Sequence, residues 1–131
     1  MTTLTGNVVT DVRYTVTAQG HRVARFRMVV QPRRFDRATE KWVDGADASF
    51  YSVVAWRTTA DNVAVSVHKG DPIFVTGKLR IREWEKDGRS GISVEIDANA
   101  IGHDLSRGQS TFRRPPRSNE GSLEPVALGA A

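Results

Sequence analysis

Lys78, Arg80, Arg82 and Trp84 recur at every second position of one stretch, and that spacing carries the most evident chemistry of the chain. Side chains of a strand alternate between its faces. These four therefore share a face with Phe74 and Thr76, while Ile73, Val75, Leu79 and Ile81 share the other with Gly77 and Glu83. The apolar face is expected to be a core ridge. The cationic face is a row of positive charge running up to a flat indole, which suits a partner that is both anionic and flat. Lys and Arg on an outer strand face often serve only solvation. The weight of this face thus depends on whether other segments carry aromatic and basic residues on comparable faces.

A catalytic or metal site would have to be built from His21, His68, His103 and scattered carboxylates. No two of the histidines have metal-ligand spacing, and no Ser, His and Asp set forms a recognisable motif. His68 falls at the end of an expected helix, where a cation is favoured for ordinary electrostatic reasons. Cysteine is absent, which excludes disulfides and thiolate metal sites. No catalytic residue, metal or cofactor is therefore expected. Nineteen Lys and Arg against fifteen Asp and Glu leave a net charge of +4 and a pI near 10.0, a balance compatible with a polyanionic partner. No run reaches the length of a membrane span, and Met-Thr-Thr-Leu-Thr-Gly at the start lacks the basic, then apolar, order of a signal peptide. A cytoplasmic chain with no membrane contact is expected.

The elements that must position these residues follow from composition and period. Residues 4–17 have a strand composition, with Val8, Val9, Val12, Tyr14 and Val16 among threonines and Gly6 marking a bend or a close backbone approach. After a turn at 18–21, residues 22–31 alternate Ala24, Phe26, Met28 and Val30 with Val23, Arg25, Arg27 and Val29. Pro32 stops that ladder because it has no N–H to donate. Residues 31–47 read as a long connection that holds Phe35, Trp42 and several cations, and long loops in compact domains tend to carry function. Residues 48–57 form a central strand, with Phe50, Ser52, Val54 and Trp56 on one face and Tyr51, Val53 and Ala55 on the other.

Residues 58–69 are the one expected helix. Thr58 or Thr59 caps it, Asp61 faces its positive end, Ala60, Val63, Ala64 and Val67 form its stripe, and Gly70 takes the C′ position. The hairpin of the opening stretch follows, with Asp87-Gly88 as its tight turn and Ile92, Val94 and Ile96 on one face of the returning strand. The folded domain is expected to span 1–104. Residues 105–131, with three of the five prolines and no periodicity, read as a disordered tail.

Three strands, a short helix and two strands is the element order of the OB-fold, an all-β, five-stranded Greek-key barrel with its helix between strands three and four. Ligands of such barrels lie across strands two and three and under two of the connecting loops, where this chain places Arg25, Arg27, Phe50, Trp56 and Trp84. Oligonucleotide and oligosaccharide binders share the fold, so fold alone does not decide function. The segments Leu4-Thr5-Gly6-Asn7-Val8, Asp11-Val12-Arg13-Tyr14, Phe50-Tyr51-Ser52-Val53-Val54-Ala55-Trp56, His68-Lys69-Gly70-Asp71 and Val75-Thr76-Gly77-Lys78-Leu79-Arg80 together resemble the bacterial single-stranded DNA-binding protein family. They stand in the family's order and with nearly its spacing, from Leu4 to about Asp104.

The resemblance implies that bases stack on Phe35, Phe50, Trp56 and Trp84. Trp42, in the same loop, competes for the place given to Phe35. Two of the four are Phe where the family often has Trp, which implies weaker stacking and less tryptophan quenching. Tyr51 stands where many members carry a histidine at a subunit contact. Because the family pairs barrels through strand one and then pairs dimers, the resemblance also implies a homotetramer, with Val8, Val9, Val12 and Val16 as spare apolar surface. Members that recruit repair and replication enzymes end in an acidic tip closing with Pro-Phe, whereas this chain ends Leu-Glu-Pro-Val-Ala-Leu-Gly-Ala-Ala. It resembles the shorter, paralogous members, and recruitment through such a tip is not expected.

Single strands expose a phosphate line and unstacked base faces, so a nonspecific binder needs cations for one and flat apolar rings for the other, each stack contributing roughly 1 to 3 kcal/mol. Arg25, Arg27, Arg33, Arg34, Lys78, Arg80 and Arg82 are the candidates for phosphate. Trp56 has a core role as its rival explanation; Trp84, beside charges at a polar tip, is hard to explain that way. The expected function is nonspecific binding of single-stranded DNA on the nucleoid, protecting it during replication, recombination, repair or DNA uptake. The alternative is an OB barrel that assembles a nucleoprotein complex with weak or no DNA binding. A duplex reader would need a helix with a basic face, which the sequence does not offer.

Overall fold

The computed structural model describes residues 1–31, 33–44 and 48–116, apart from the side chains of residues 33–35 and 42–44. Its elements are β1 (Thr2–Val8), β2 (Arg13–Val16), β3 (Arg22–Val30), β4 (Arg33–Asp36), β5 (Lys41–Asp44), β6 (Ser49–Trp56), α1 (Arg57–Ser66), β7 (Pro72–Lys86) and β8 (Arg89–His103). The main sheet runs β1-β7-β8-β6-β3-β2, and β1 also pairs with β3, so the sheet closes on itself. The expected first strand is thus two strands, β1 and β2, on either side of a break at residues 9–12. With β1 and β2 as its two halves, this is the five-stranded OB barrel with its helix between the third and fourth strands.

Closure depends on bare backbone at Gly6. A Cβ there would lie 2.0 Å from the Val29 carbonyl oxygen, so only glycine lets β1 reach β3. Inside the ring, Val8, Ala24, Phe26, Met28, Val53, Ala55, Ile73, Val75 and Ile96 pack with Ala60, Val63 and Val67 of the helix. The apolar parities of the second and third strands point inward as their alternation requires.

The expected core ridge of the long hairpin is only half a ridge. Ile73 and Val75 are fully buried, but Leu79 is partly exposed and Ile81 and Ile92 are 72% and 67% exposed. The reason is length: β7 and β8 stay paired to Lys86 and Arg89, well past the end of the barrel. Asp87 and Gly88 both have positive φ, as a two-residue hairpin turn requires.

The helix also differs from expectation. It starts at Arg57 rather than 58, Trp56 is its N-cap without a side-chain hydrogen bond, and Val67 is its C-cap, so neither threonine caps it and Gly70 is not its C′ residue. Gly70 instead serves a separate turn, with φ of 96° and the Asp71 amide donating to the His68 carbonyl. Asp61 is not a macrodipole partner; it accepts hydrogen bonds from Tyr14 at 2.7 Å and Arg22 at 2.9 Å, tying α1 to β2 and β3. Partial burial alone would lift the Asp61 carboxyl, but those two hydrogen bonds and the Arg22 charge outweigh it and hold the carboxyl below its ordinary range.

The long connection after β3 is a hairpin rather than a loop, because β4 and β5 pair antiparallel with Phe35 opposite Trp42. Beyond β8, residues 105–116 have no helix or strand, yet they are tied back. The Asp104 amide donates to the Pro72 carbonyl, Arg107 donates to Asn7 at 3.0 Å, and Ser110 meets the His103 ring. Residues 117–131 lie outside the described residues.

Candidate functional site

Register decides which side chains share a face. Arg25 stands opposite Val54, Arg27 opposite Ser52, Val29 opposite Phe50 and Val23 opposite Trp56 across β3 and β6. Ser52 aligns with Glu95 of the parallel neighbour β8. On the far side of β8, Lys78 faces Asp97, Arg80 faces Glu95, Arg82 faces Ser93 and Trp84 faces Gly91. Directly paired residues project to the same side of a sheet. The outer face of β3, β6, β8 and β7 therefore carries Arg25, Arg27, Phe50, Trp56, Lys78, Arg80, Arg82 and Trp84 together, over a width of about 14 Å at ordinary strand spacing.

Three of the candidate stacking rings are described and open on this face: Phe50 is 51% exposed, Trp84 46% and Trp56 38%, and Phe74, nearer the start of β7, is 40% exposed on the same side. Trp56 is thus not a core residue, although Val23 and Val54 beside it are buried. Arg57, next in the chain, has a φ of 58°, a left-handed turn between strand and helix. That reversal ends β6 on Trp56 and sends the chain away over the barrel. The Arg27 guanidinium lies 5.6 Å from the centre of the Phe50 ring, within range of a cation–π contact. The Trp84 ring lies over bare backbone, since a Cβ on Gly91 would sit 2.4 Å from its Cζ2. Phe35, Arg33 and Arg34 lie on β4, where register sets Phe35 across from Trp42. Their side chains lie outside the described residues.

Sequence reasoning passed over other members of this face. Arg13 is paired opposite Arg25, which puts it on the same side at the barrel edge. Lys86 and Arg89, paired at the hairpin end, extend the cationic row beyond Trp84. Alternation alone holds the signal for Lys86, but Arg13 becomes visible only once the pairing of β2 is known. The carboxylates Glu83 and Glu85 project to the opposite side of the hairpin. Glu95 and Asp97 are the exceptions on the cationic side. Arg82 Nη1 lies 3.1 Å from Glu95, and Arg80 Nε lies 3.2 Å from Asp97.

The three histidines fall in two places. His21 lies in the turn after β2, where its backbone amide donates to Thr17. The fold does bring His68 and His103 to Asp71, at 3.9 and 3.2 Å. Among the described residues no group of three or more His, Cys, Asp or Glu side chains is arranged to hold a metal ion. No helix among them is long and apolar enough to cross a membrane.

Known proteins share both the sequence and the architecture. The chain is 44% identical over 123 residues to single-stranded DNA-binding protein 2 of Streptomyces avermitilis, covering 93% of this chain and 77% of that protein. It is 42% identical over 120 residues to single-stranded DNA-binding protein 1 of Streptomyces coelicolor, covering 92% and 76%. The crystal structure of the small single-stranded DNA-binding protein from Streptomyces coelicolor superposes with a TM-score of 0.75 at 42% identity, over 82% of this chain and 95% of that one. A second single-stranded DNA-binding protein from Mycobacterium smegmatis gives 0.67 at 26% identity, over 86% and 96%. The family model described as Single-strand binding protein family matches residues 1–104, and with these relatives it establishes that the chain belongs to that family.

Proposed function

We propose that this protein binds single-stranded DNA without sequence specificity, stacking bases on Phe50, Trp56, Trp84 and Phe35 and meeting phosphates with Arg25, Arg27, Arg33, Arg34, Lys78, Arg80 and Arg82. The observation that carries the reading is the single sheet face on which three exposed rings alternate with cations. Every base has an apolar π-face and every nucleotide a phosphate, so rings and cations in alternation can follow a strand of any sequence. No step of this needs bond chemistry, and the protein acts by holding the strand rather than as an enzyme. Its place is the nucleoid, in the cytoplasm, where it shields single strands exposed during replication, recombination, repair or uptake.

The exposed apolar surface supports assembly into a homotetramer, though only part of it comes from the valines first expected to supply it. Val8 belongs to the core and Val12 packs against it, while Val9 is half-buried and Val16 exposed. Leu79, Ile81 and Ile92, on the side of the long hairpin away from its cationic row, supply the larger apolar area. Light scattering at micromolar concentration is expected to give four chains, and a stable monomer removes this part of the reading. The DNA reading is tested by titrating the protein with oligo-dT and with duplex of equal length at two salt concentrations. Tight, salt-sensitive preference for the single strand is expected; equal indifference to both ends it.

A further inference from the structure

The long hairpin sorts its charges by face, with Lys78, Arg80, Arg82, Lys86 and Arg89 on the side of the exposed rings and Glu83 and Glu85 on the other. Against that sorting, Glu95 stands in the middle of the cationic face, aligned with Ser52 on one side and Arg80 on the other. It is only 5% exposed. A carboxylate so placed repels a polyanion and loses hydration, and it is tolerated only if cations compensate it. Both neighbouring arginines do so: Arg82 Nη1 donates to Oε2 at 3.1 Å, and Arg80 Nη2 lies 3.9 Å from Oε1. Arg80 is also held by Asp97, through Nε at 3.2 Å. Two arginines and two carboxylates form a cluster of zero formal charge at the centre of a face that otherwise attracts phosphate. Among the described residues no carboxylate pairs with Lys78.

Resting on the reading that this face binds single-stranded DNA, we propose that Glu95 is a built-in competitor of phosphate, a positioning residue that orients Arg80 and Arg82 while setting how much of their charge the strand receives. A guanidinium has five donors in a fixed fork, so an arm held by a carboxylate still presents its outer N–H groups in a defined direction. A phosphate arriving there exchanges one anion for another instead of adding a neutralised charge. The two arginines therefore give direction and register, and net attraction comes from the other cations of the face, Arg25, Arg27 and Lys78 foremost. Affinity is held below what the count of cations would give, which keeps the strand exchangeable.

The test is the salt dependence of oligo-dT binding by the full chain and by Glu95→Gln, which keeps the shape and an acceptor while deleting the charge. Glu95→Gln is expected to bind several-fold tighter at low salt, with a slope in log salt steeper by about 0.7, the value of one further phosphate neutralised on a single strand. Asp97→Asn, on the rim of the cluster, is expected to shift the slope the same way, and it serves if Glu95→Gln fails to fold. Arg82→Gln should weaken binding, and Arg82→Gln with Glu95→Gln should bind better than Arg82→Gln alone. A purely structural role would change melting without moving the slope. Unchanged or weaker binding by the carboxylate variants overturns the inference while wild-type binding stands. A wild-type chain that ignores oligo-dT overturns the functional reading and the inference together.

Discussion

Trp84→Ala isolates the stacking half of the mechanism, because the ring stands far from the barrel core. It is 46% exposed, and the backbone it covers is Gly91, so its removal opens no cavity in the ring of Val8, Phe26, Met28, Ile73 and Ile96. The melting temperature should therefore stay close to that of the unmodified chain. A base stacked on an aromatic side chain is worth roughly 1 to 3 kcal/mol, and tenfold in affinity corresponds to about 1.4 kcal/mol, so the expected loss is about 5- to 150-fold. An indole releases no counterions, so the loss should be the same at low and high salt and the slope should not move. The assay is anisotropy of labelled oligo-dT across a salt series, with melting measured on the same preparation. Gly91→Ala is the companion, since its new Cβ occupies the place of the ring and must swing Trp84 aside without touching its chemistry. If Trp84→Ala binds as tightly as the unmodified protein, the stacking platform is not on this hairpin, and its cationic row is a solvated face.

Lys78→Gln should make the salt slope shallower by about 0.7, whereas Arg80→Gln should lower affinity with less change in slope, because Asp97 and Glu95 already hold that arginine; equal slope changes would contradict this. Gly6→Ala should prevent barrel closure, since its Cβ would sit 2.0 Å from the Val29 carbonyl oxygen, and a cooperative melt near the wild-type temperature would refute the geometry. The Asp61 carboxyl has a folded pKa below its ordinary value of 3.8, so its contribution to stability is present above that pH and is lost as pH falls through the folded value. Asp61→Asn should accordingly flatten the acid limb of the melting profile, and an unchanged limb would show the contribution to be absent. A chain stopped after Asp104 should fold and bind oligo-dT with at most a modest loss, because the described tail meets the barrel through a few hydrogen bonds; loss of tight binding would move the site.

What is legible in the sequence depends on whether a residue's fate is local. Alternation groups Arg25 with Arg27 on one face of β3 and Phe50 with Trp56 on one face of β6, because period two needs no partner strand to be known, and the pairing of the two strands then joins those faces. Ile81 and Ile92 obey the same alternation yet miss the core, since period says which face a residue takes and not how far the barrel extends beneath it. The β4–β5 hairpin escapes notice because Pro32 and a run of charges look like a loop until Phe35 and Trp42 are paired. Asp61 has the position of a helix-end acid, but tertiary contacts with Tyr14 and Arg22 take it elsewhere. Glu95 is the most instructive case. In sequence it is an unremarked polar position of a strand, and only pairing of β8 with both β6 and β7 puts it among the arginines.

Barrel closure has a consequence for how the protein is made. Thr2–Val8 leaves the ribosome before the rest of the barrel, yet its long ladder is with β7, so Thr2 waits for Gly77. At ordinary elongation rates that interval is about 4 to 15 s. During it β3 and β6 can pair, but the far edge of β6 has no neighbour until β8 appears, and an unpaired strand edge invites another chain. Changes in β1 should then act on the yield of soluble protein before they act on anything measured with DNA. A Gly6 or Val8 variant recovered largely in inclusion bodies would be reporting a nascent chain held open too long.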